Sequence, residues 1–236
     1  MAGVAELFAD ATRAGVVAAL LDGRALTAGE LARTTGVSAQ TVSAHLGRLR
    51  SAGILAVESQ GRHRYYRLLD ERAGRAFGAL AAFAPVRPVR SLRQSNIAAE
   101  LRFARTCYDH LAGALAVVIT DALVRCEAIV AADACYRLGA AGGDLFTSLG
   151  VPLDTLATAR RSFAHPCLDW SERRHHLAGA LGAGLLVALS ERGWVSRRPT
   201  SRAVALHTTG REGLVALLGC TLPSGHAPGA TLPTTG

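Results

Sequence analysis

Lysine is absent: all 26 basic residues are arginine. This bias of composition makes the planar guanidinium fork the only cationic group for a phosphate contact, histidine aside. Charge of either sign is scarce at 19%, and half of the residues are hydrophobic, which excludes a wholly disordered chain. Long apolar runs are missing too. The longest, Leu177 to Leu189, has 13 residues where a bilayer needs about 20, and it reads as a buried helix. The five cysteines are odd in number and scattered, so no disulfide framework is expected. Met1 to Asp10 carry acids and no basic stretch, so no secretory signal is expected. These features imply a reduced, cytoplasmic chain with no membrane partner. Its 236 residues suffice for one large domain or two small ones.

The net charge of +8 is unevenly spread. Residues 1–84 carry 10 Arg and 7 acids, residues 85–105 carry 5 Arg and one acid, and residues 106–219 carry 11 Arg and 10 acids. The excess directs a nucleic-acid reading to the first half and the Arg-rich connector 85–105. Residues 220–236 are uncharged and rich in Pro, Gly and Thr, which predicts a disordered tail with Cys220 incidental.

Helical spacing begins at once. Val4, Leu7 and Phe8 form one face, and Val16, Val17, Leu20 and Leu21 another, stopping at Asp22-Gly23. Thr27 with Glu30 reads as a capping box for a helix 28–35 that ends at Gly36. Ser38 caps a second helix, 39–51, whose Val42, Leu46 and Leu49 share one face. Two short helices joined through a glycine describe a helix-turn-helix. The outward face of the second helix offers Ser38, Gln40, Thr41, Ser43, His45 and Arg48 to base edges and phosphates. Two alternating runs then flank Gln60-Gly61 as a hairpin whose tip carries Arg62, His63 and Arg64. A closing helix from Asp70 to Phe83 is ended by Pro85 and Pro88. Each piece alone is common in proteins; their order is that of a winged helix.

The run Leu20-Leu-Asp-Gly23, Gly36-Val-Ser38, Val42-Ser43-Ala-His45-Leu46, Gly53-Ile-Leu and Gly61-Arg62 through Arg64-Tyr65-Tyr66-Arg67-Leu68 resembles the ArsR family of bacterial repressors over about the first 85 residues. The resemblance implies a homodimer that binds double-stranded operator DNA and leaves it when a metal or other effector binds. The family's metal sites do not carry over. Where the arsenic branch has Cys-x-Cys, this chain reads Glu30-Leu-Ala-Arg-Thr-Thr35. The cadmium- and lead-sensing branch is closest in wording, but Arg48 and Ala52 stand at its recognition-helix cysteines. Residues 72–83 lack the zinc branch's ligands. An effector site is therefore expected elsewhere.

Residues 106–219 contain a repeat. His110-Leu-Ala-Gly-Ala-Leu115 recurs as His176-Leu-Ala-Gly-Ala-Leu181, and Arg137-Leu138 with Gly142 is answered by Ala205-Leu206 with Gly210. The expected fold is mainly α with small β-hairpins (α+β). It places a winged helix (1–84) before a domain of two degenerate helix–hairpin–helix repeats (106–219). Small residues in both helices explain close packing without any ligand. Yet Cys107 and His110 fall at i and i+3 of the expected first helix, and Cys167 precedes His176. If the copies face each other, Cys107, His110, Cys167 and His176 converge on a site for a soft divalent ion, with cadmium, lead and zinc the candidates. Cys126 and Cys135 read as core.

Two other effector readings use the same place: an organic ligand among Tyr108, Asp169, Trp170 and Trp194, and an oxidation-sensitive Cys107 or Cys167. Cys167, His176 and Asp169 could mimic a catalytic triad, but no Gly-rich phosphate loop, nucleophile elbow or His-Glu-x-x-His is present. The sequence reads as a DNA-binding regulator, not an enzyme. The alternative is a ligand- or redox-responsive or constitutive DNA-binding protein with no metal site.

Overall fold

In the computed structural model, residues 2–81, 83, 92–198 and 201–224 are described. The expected helix stops Pro85 and Pro88, Arg87 and Arg90 of the connector, the Val4 side chain and the tail from 225 onward lie outside them. The chain forms two compact units, residues 1–84 with the turn 107–109, and residues 85–106 with 110–236. No helix among the described residues is long and apolar enough to cross a membrane.

The first unit begins with α1 (Ala2–Ala9) and α2 (Ala11–Ala19), the second capped by the Asp10 side chain, which accepts from the Arg13 N–H. After β1 (Leu26–Thr27), α3 (Ala28–Thr35) opens on the full Thr27/Glu30 capping box and closes at Gly36 in the left-handed region. Ser38 caps α4 (Ala39–Ser51). Strands β2 (Leu55–Gln60) and β3 (His63–Leu68) pair with Gln60 opposite His63, which puts the tight turn at Gly61-Arg62, one residue later than the sequence suggests. β1 adds to β3, and α5 (Glu71–Ala81) follows, ending before the expected Phe83. Val16, Leu20, Leu31, Val42, Leu46, Leu49, Leu55 and Leu68 form one continuous core, the apolar faces that helical and strand spacing mark in the sequence.

The connector region contains a helix, α6 (Leu92–Phe103). Beyond it the second unit departs from helix–hairpin–helix. Each copy is a hairpin, a helix, a hairpin and a helix. Copy one is β4 (Arg105–Cys107), β5 (His110–Ala112), α7 (Ala114–Arg125), β6 (Ile129–Ala132), β7 (Cys135–Leu138) and α8 (Gly142–Ser148). A short α9 (Leu153–Ala157) leads to copy two: β8 (His165–Leu168), β9 (His175–Ala178), α10 (Gly179–Glu191), β10 (Val195–Arg197), β11 (Val204–Leu206) and α11 (Thr208–Leu218). The first hairpin of each copy is the correction. His110 and His176, expected to start helices, lie on strands β5 and β9.

The reason is local. Gly113 and Gly179, 66 residues apart, separate strand from helix at φ +92° and +84°. A Cβ on Gly113 would stand 2.7 Å from the Arg102 carbonyl oxygen, and one on Gly179 would stand 2.8 Å from that of Ser162. Only glycine turns the chain there.

The two copies interlock reciprocally. The Tyr136 N–H of β7 donates to the Ala164 carbonyl just before β8, and the Val204 N–H of β11 donates to the Ala104 carbonyl just before β4. Leu115, Ile119, Leu123, Phe146, Leu181, Leu185, Leu189 and Leu214 fill the shared core. Cys220 and Leu222 are buried in it as well, so the chain stays packed past the expected start of the tail. Cys126 and Cys135 are only partly buried.

Candidate nucleic-acid interface and buried cysteine–histidine cluster

On α4, Ser38, Gln40, Thr41, Ser43 and Arg48 are exposed. The Ser38 hydroxyl accepts the Thr41 N–H at 3.1 Å, while the Ser43 hydroxyl donates to the Ala39 carbonyl at 2.7 Å and keeps its lone pairs outward. His45 does not belong to this face. Its Nδ1 lies 3.6 Å from Asp10 Oδ1 and 3.5 Å from Arg13 Nη1, so the ring braces α4 against the start of α2.

Arg62, His63 and Arg64 are exposed at the hairpin tip, where Arg62 Nε donates to His63 Nε2 at 3.3 Å. These three, with Ser43 and the first residues of α3, line an open cleft of about 630 Å³. Thr27, Ala28 and Gly29 in that cleft went unnoticed as interface candidates. The capping box was the available signal, because it marks a helix N-terminus with its partial positive charge. Arg48 lies on the other flank of α4, beside Glu6 and Leu7 of α1.

Cys107, His110, Cys167 and His176 come together: one potential ligand atom from each lies within 4.8 Å of all the others. It is the one such group of three or more among the described residues. The route differs from the helical face expected for Cys107 and His110. These two flank the two-residue turn of the β4–β5 hairpin, and Cys167 stands directly opposite His176 across β8–β9. Each copy thus contributes one Cys–His pair from its first hairpin. His110 Nε2 and His176 Nε2 are 3.2 Å apart, with both rings buried. None of the cysteines is in a disulfide.

The second hairpin's connection, residues 169–174, has six residues against two in the first, and it holds a feature that the sequence places differently. Asp169 is fully buried and bonded on every side. Arg105 Nη2 donates to both carboxylate oxygens at 2.8 Å. The Gly113 N–H donates at 2.7 Å, and the Ser171 hydroxyl and N–H donate at 2.7 and 2.9 Å. Burial pushes the carboxyl pKa up, but the Arg105 charge and these hydrogen bonds outweigh it and hold the group down at about 2. His176 Nδ1 lies 3.5 Å from Asp169 Oδ2.

Trp170 stacks on the Arg105 guanidinium at 4.6 Å. Asp169 and Trp170 therefore serve a buried ion pair instead of lining a ligand cavity. Arg105, counted with the connector's basic excess, is 1% exposed and reaches no phosphate. No motif announces it; the signal would have been an Arg followed by Thr106-Cys107 at the edge of a repeated strand.

A family model described as a helix-turn-helix domain matches residues 8–58. Over 211 residues the chain is 41% identical to YdfF, an uncharacterized HTH-type transcriptional regulator of Bacillus subtilis (strain 168), covering 89% of this chain and 93% of that protein. The chain belongs to the HTH-type transcriptional regulators. The regulator CmtR of Mycobacterium bovis is 38% identical over 80 residues, 34% of this chain and 67% of its own. Among solved structures, the cadmium metal-sensor CmtR from Mycobacterium tuberculosis is 33% identical, covering 39% of this chain and all of that one, with a TM-score of 0.32. These relatives are named as transcriptional regulators, and this chain is a regulator, not an enzyme. The relationship to YdfF spans both units, so the second unit belongs to the regulator.

Proposed function

We propose that this regulator is a cytoplasmic homodimeric repressor that leaves its operator when a soft divalent metal binds Cys107, His110, Cys167 and His176. The observation that carries the reading is the meeting of one Cys–His pair from each copy in a single, largely buried cluster. Dimerisation is supported by the twofold logic of winged-helix operators. Two α4 helices enter successive major grooves about 34–36 Å apart, while Arg62 and Arg64 hold the backbone. CmtR, similar over the first unit, is a cadmium metal-sensor, and cadmium, lead and zinc are the ions to try.

The test is fluorescence anisotropy of the reduced full-length protein on DNA from its own upstream region, titrated with each ion. Release by metal in the wild type, and none in Cys107→Ser/Cys167→Ser, is the expected result. Tight binding indifferent to every ion removes metal control. A thiol-oxidation reading draws on the same closeness of Cys107 and Cys167, and it predicts release by peroxide with no metal present.

A further inference from the structure

The cluster's donor set and spacing distinguish between ions. We propose that Cys107, His110, Cys167 and His176 hold one zinc(II) ion in a closed tetrahedral site of two thiolates and two imidazoles, with Asp169 a positioning residue for His176. The inference rests on the metal-binding reading above and narrows it to zinc over lead.

Two thiolates with two imidazoles in a tetrahedral arrangement suit zinc, whereas softer ions gain from thiolates alone. Zinc–nitrogen bonds of about 2.0–2.1 Å give a tetrahedral nitrogen–nitrogen edge of about 3.3 Å. The two Nε2 atoms stand at 3.2 Å. A larger ion with longer bonds has to spread two rings that are both buried in the core.

Cys167, His110 and His176 are buried and Cys107 is partly buried. Four protein ligands and little access for solvent describe a closed site, not one that keeps a position open for a substrate. On binding, each thiol passes its proton to solvent and each imidazole binds as the neutral ring.

His176 turns Nε2 toward His110 and Nδ1 toward the Asp169 carboxylate. That is the arrangement by which an outer carboxylate fixes a ligating ring's tautomer and direction. Asp169 is itself held by Arg105, Ser171 and the Gly113 N–H. The loop 169–174, which the first copy lacks, therefore supplies support to one histidine of the pair.

The experiment is absorption spectroscopy of the chelator-treated, reduced full-length protein titrated with cobalt(II), then with zinc(II) or lead(II). Expected are one cobalt per chain, intense tetrahedral d–d bands and a thiolate-to-cobalt charge-transfer band. Zinc abolishes the spectrum and equimolar lead does not. Cys107→Ser and Cys167→Ser each weaken the charge-transfer band.

Removing Asp169 alone leaves Arg105 buried without its partner, so the positioning role is read in Arg105→Met/Asp169→Leu, with folding verified by circular dichroism. That variant loses about 10–100-fold in zinc affinity yet keeps the charge-transfer band at saturation. Unchanged zinc affinity in the folded double variant overturns the role of Asp169. Displacement of cobalt by lead as readily as by zinc, or a weak octahedral spectrum, overturns the zinc site. Absence of any bound ion overturns it together with the metal reading. Zinc bound as described, with the operator complex untouched, overturns metal-driven release and leaves the site standing.

Discussion

On the proposed interface Arg64 and Gln40 have different roles, and single substitutions separate them. Arg64, at the exposed hairpin tip, is placed as a phosphate contact in the proposed complex. Arg64→Ala should weaken binding to all sequences alike and reduce the slope of log K against log salt by about 1. Gln40, on the exposed flank of α4, is placed for a base edge. Gln40→Ala should shift base preference at one operator position by about 1–3 kcal/mol, measured by competition between single-base variants. If both variants bind as the wild type does, this face does not touch DNA.

Asp169 contributes a pH-dependent part of the second unit's stability. Its folded pKa of about 2 lies below the ordinary 3.8, so its contribution is present above pH 3.8 and is lost as the pH falls through about 2. Neutral-pH melting should show Asp169→Asn destabilised by about 3–5 kcal/mol, because Arg105 keeps its charge in a buried place. The same variant should lose less than the wild type between pH 4 and 2. A variant as stable as the wild type at pH 7 contradicts this account of the pair.

At the scale of elements, the winged helix was legible because its signals are local. Thr27/Glu30, Gly36 and Ser38 each state a helix end within three residues, and Val42, Leu46 and Leu49 repeat on one face. The hairpins β4–β5 and β8–β9 were not legible. Their strands are three or four residues long, and the repeated Leu-Ala-Gly-Ala-Leu carries helical spacing straight across the strand–helix junction. The glycine inside that motif held the missing information, since its positive φ breaks the period.

Gly113→Ala should therefore cost about 1–3 kcal/mol for the backbone region alone, with the clash against the Arg102 carbonyl added. Thermal melting checks it, and an unchanged midpoint would mean the junction is not strained. The four-residue cluster was nameable from the repeat, because duplicated histidines at equal spacing come to equivalent places. Arg105–Asp169 was not, since an ion pair between residues 64 apart leaves no periodic trace.

At the scale of the whole molecule, the positive charge and the repeated core occupy different stretches of the chain. Seven of the eight excess positive charges precede residue 106, so the salt dependence of DNA binding belongs to that half. The remainder is nearly neutral and builds its core from two copies of one motif. An effector bound there alters DNA affinity only as far as it binds the two states of the protein unequally.

That coupling is reciprocal, and reciprocity gives the most direct test. Zinc affinity of the full-length protein, measured by chelator competition, should be determined free and then saturated with operator DNA. The account predicts that DNA weakens zinc binding by about 5–150-fold, the same factor by which zinc weakens DNA binding. Equal zinc affinities in the two states would contradict it.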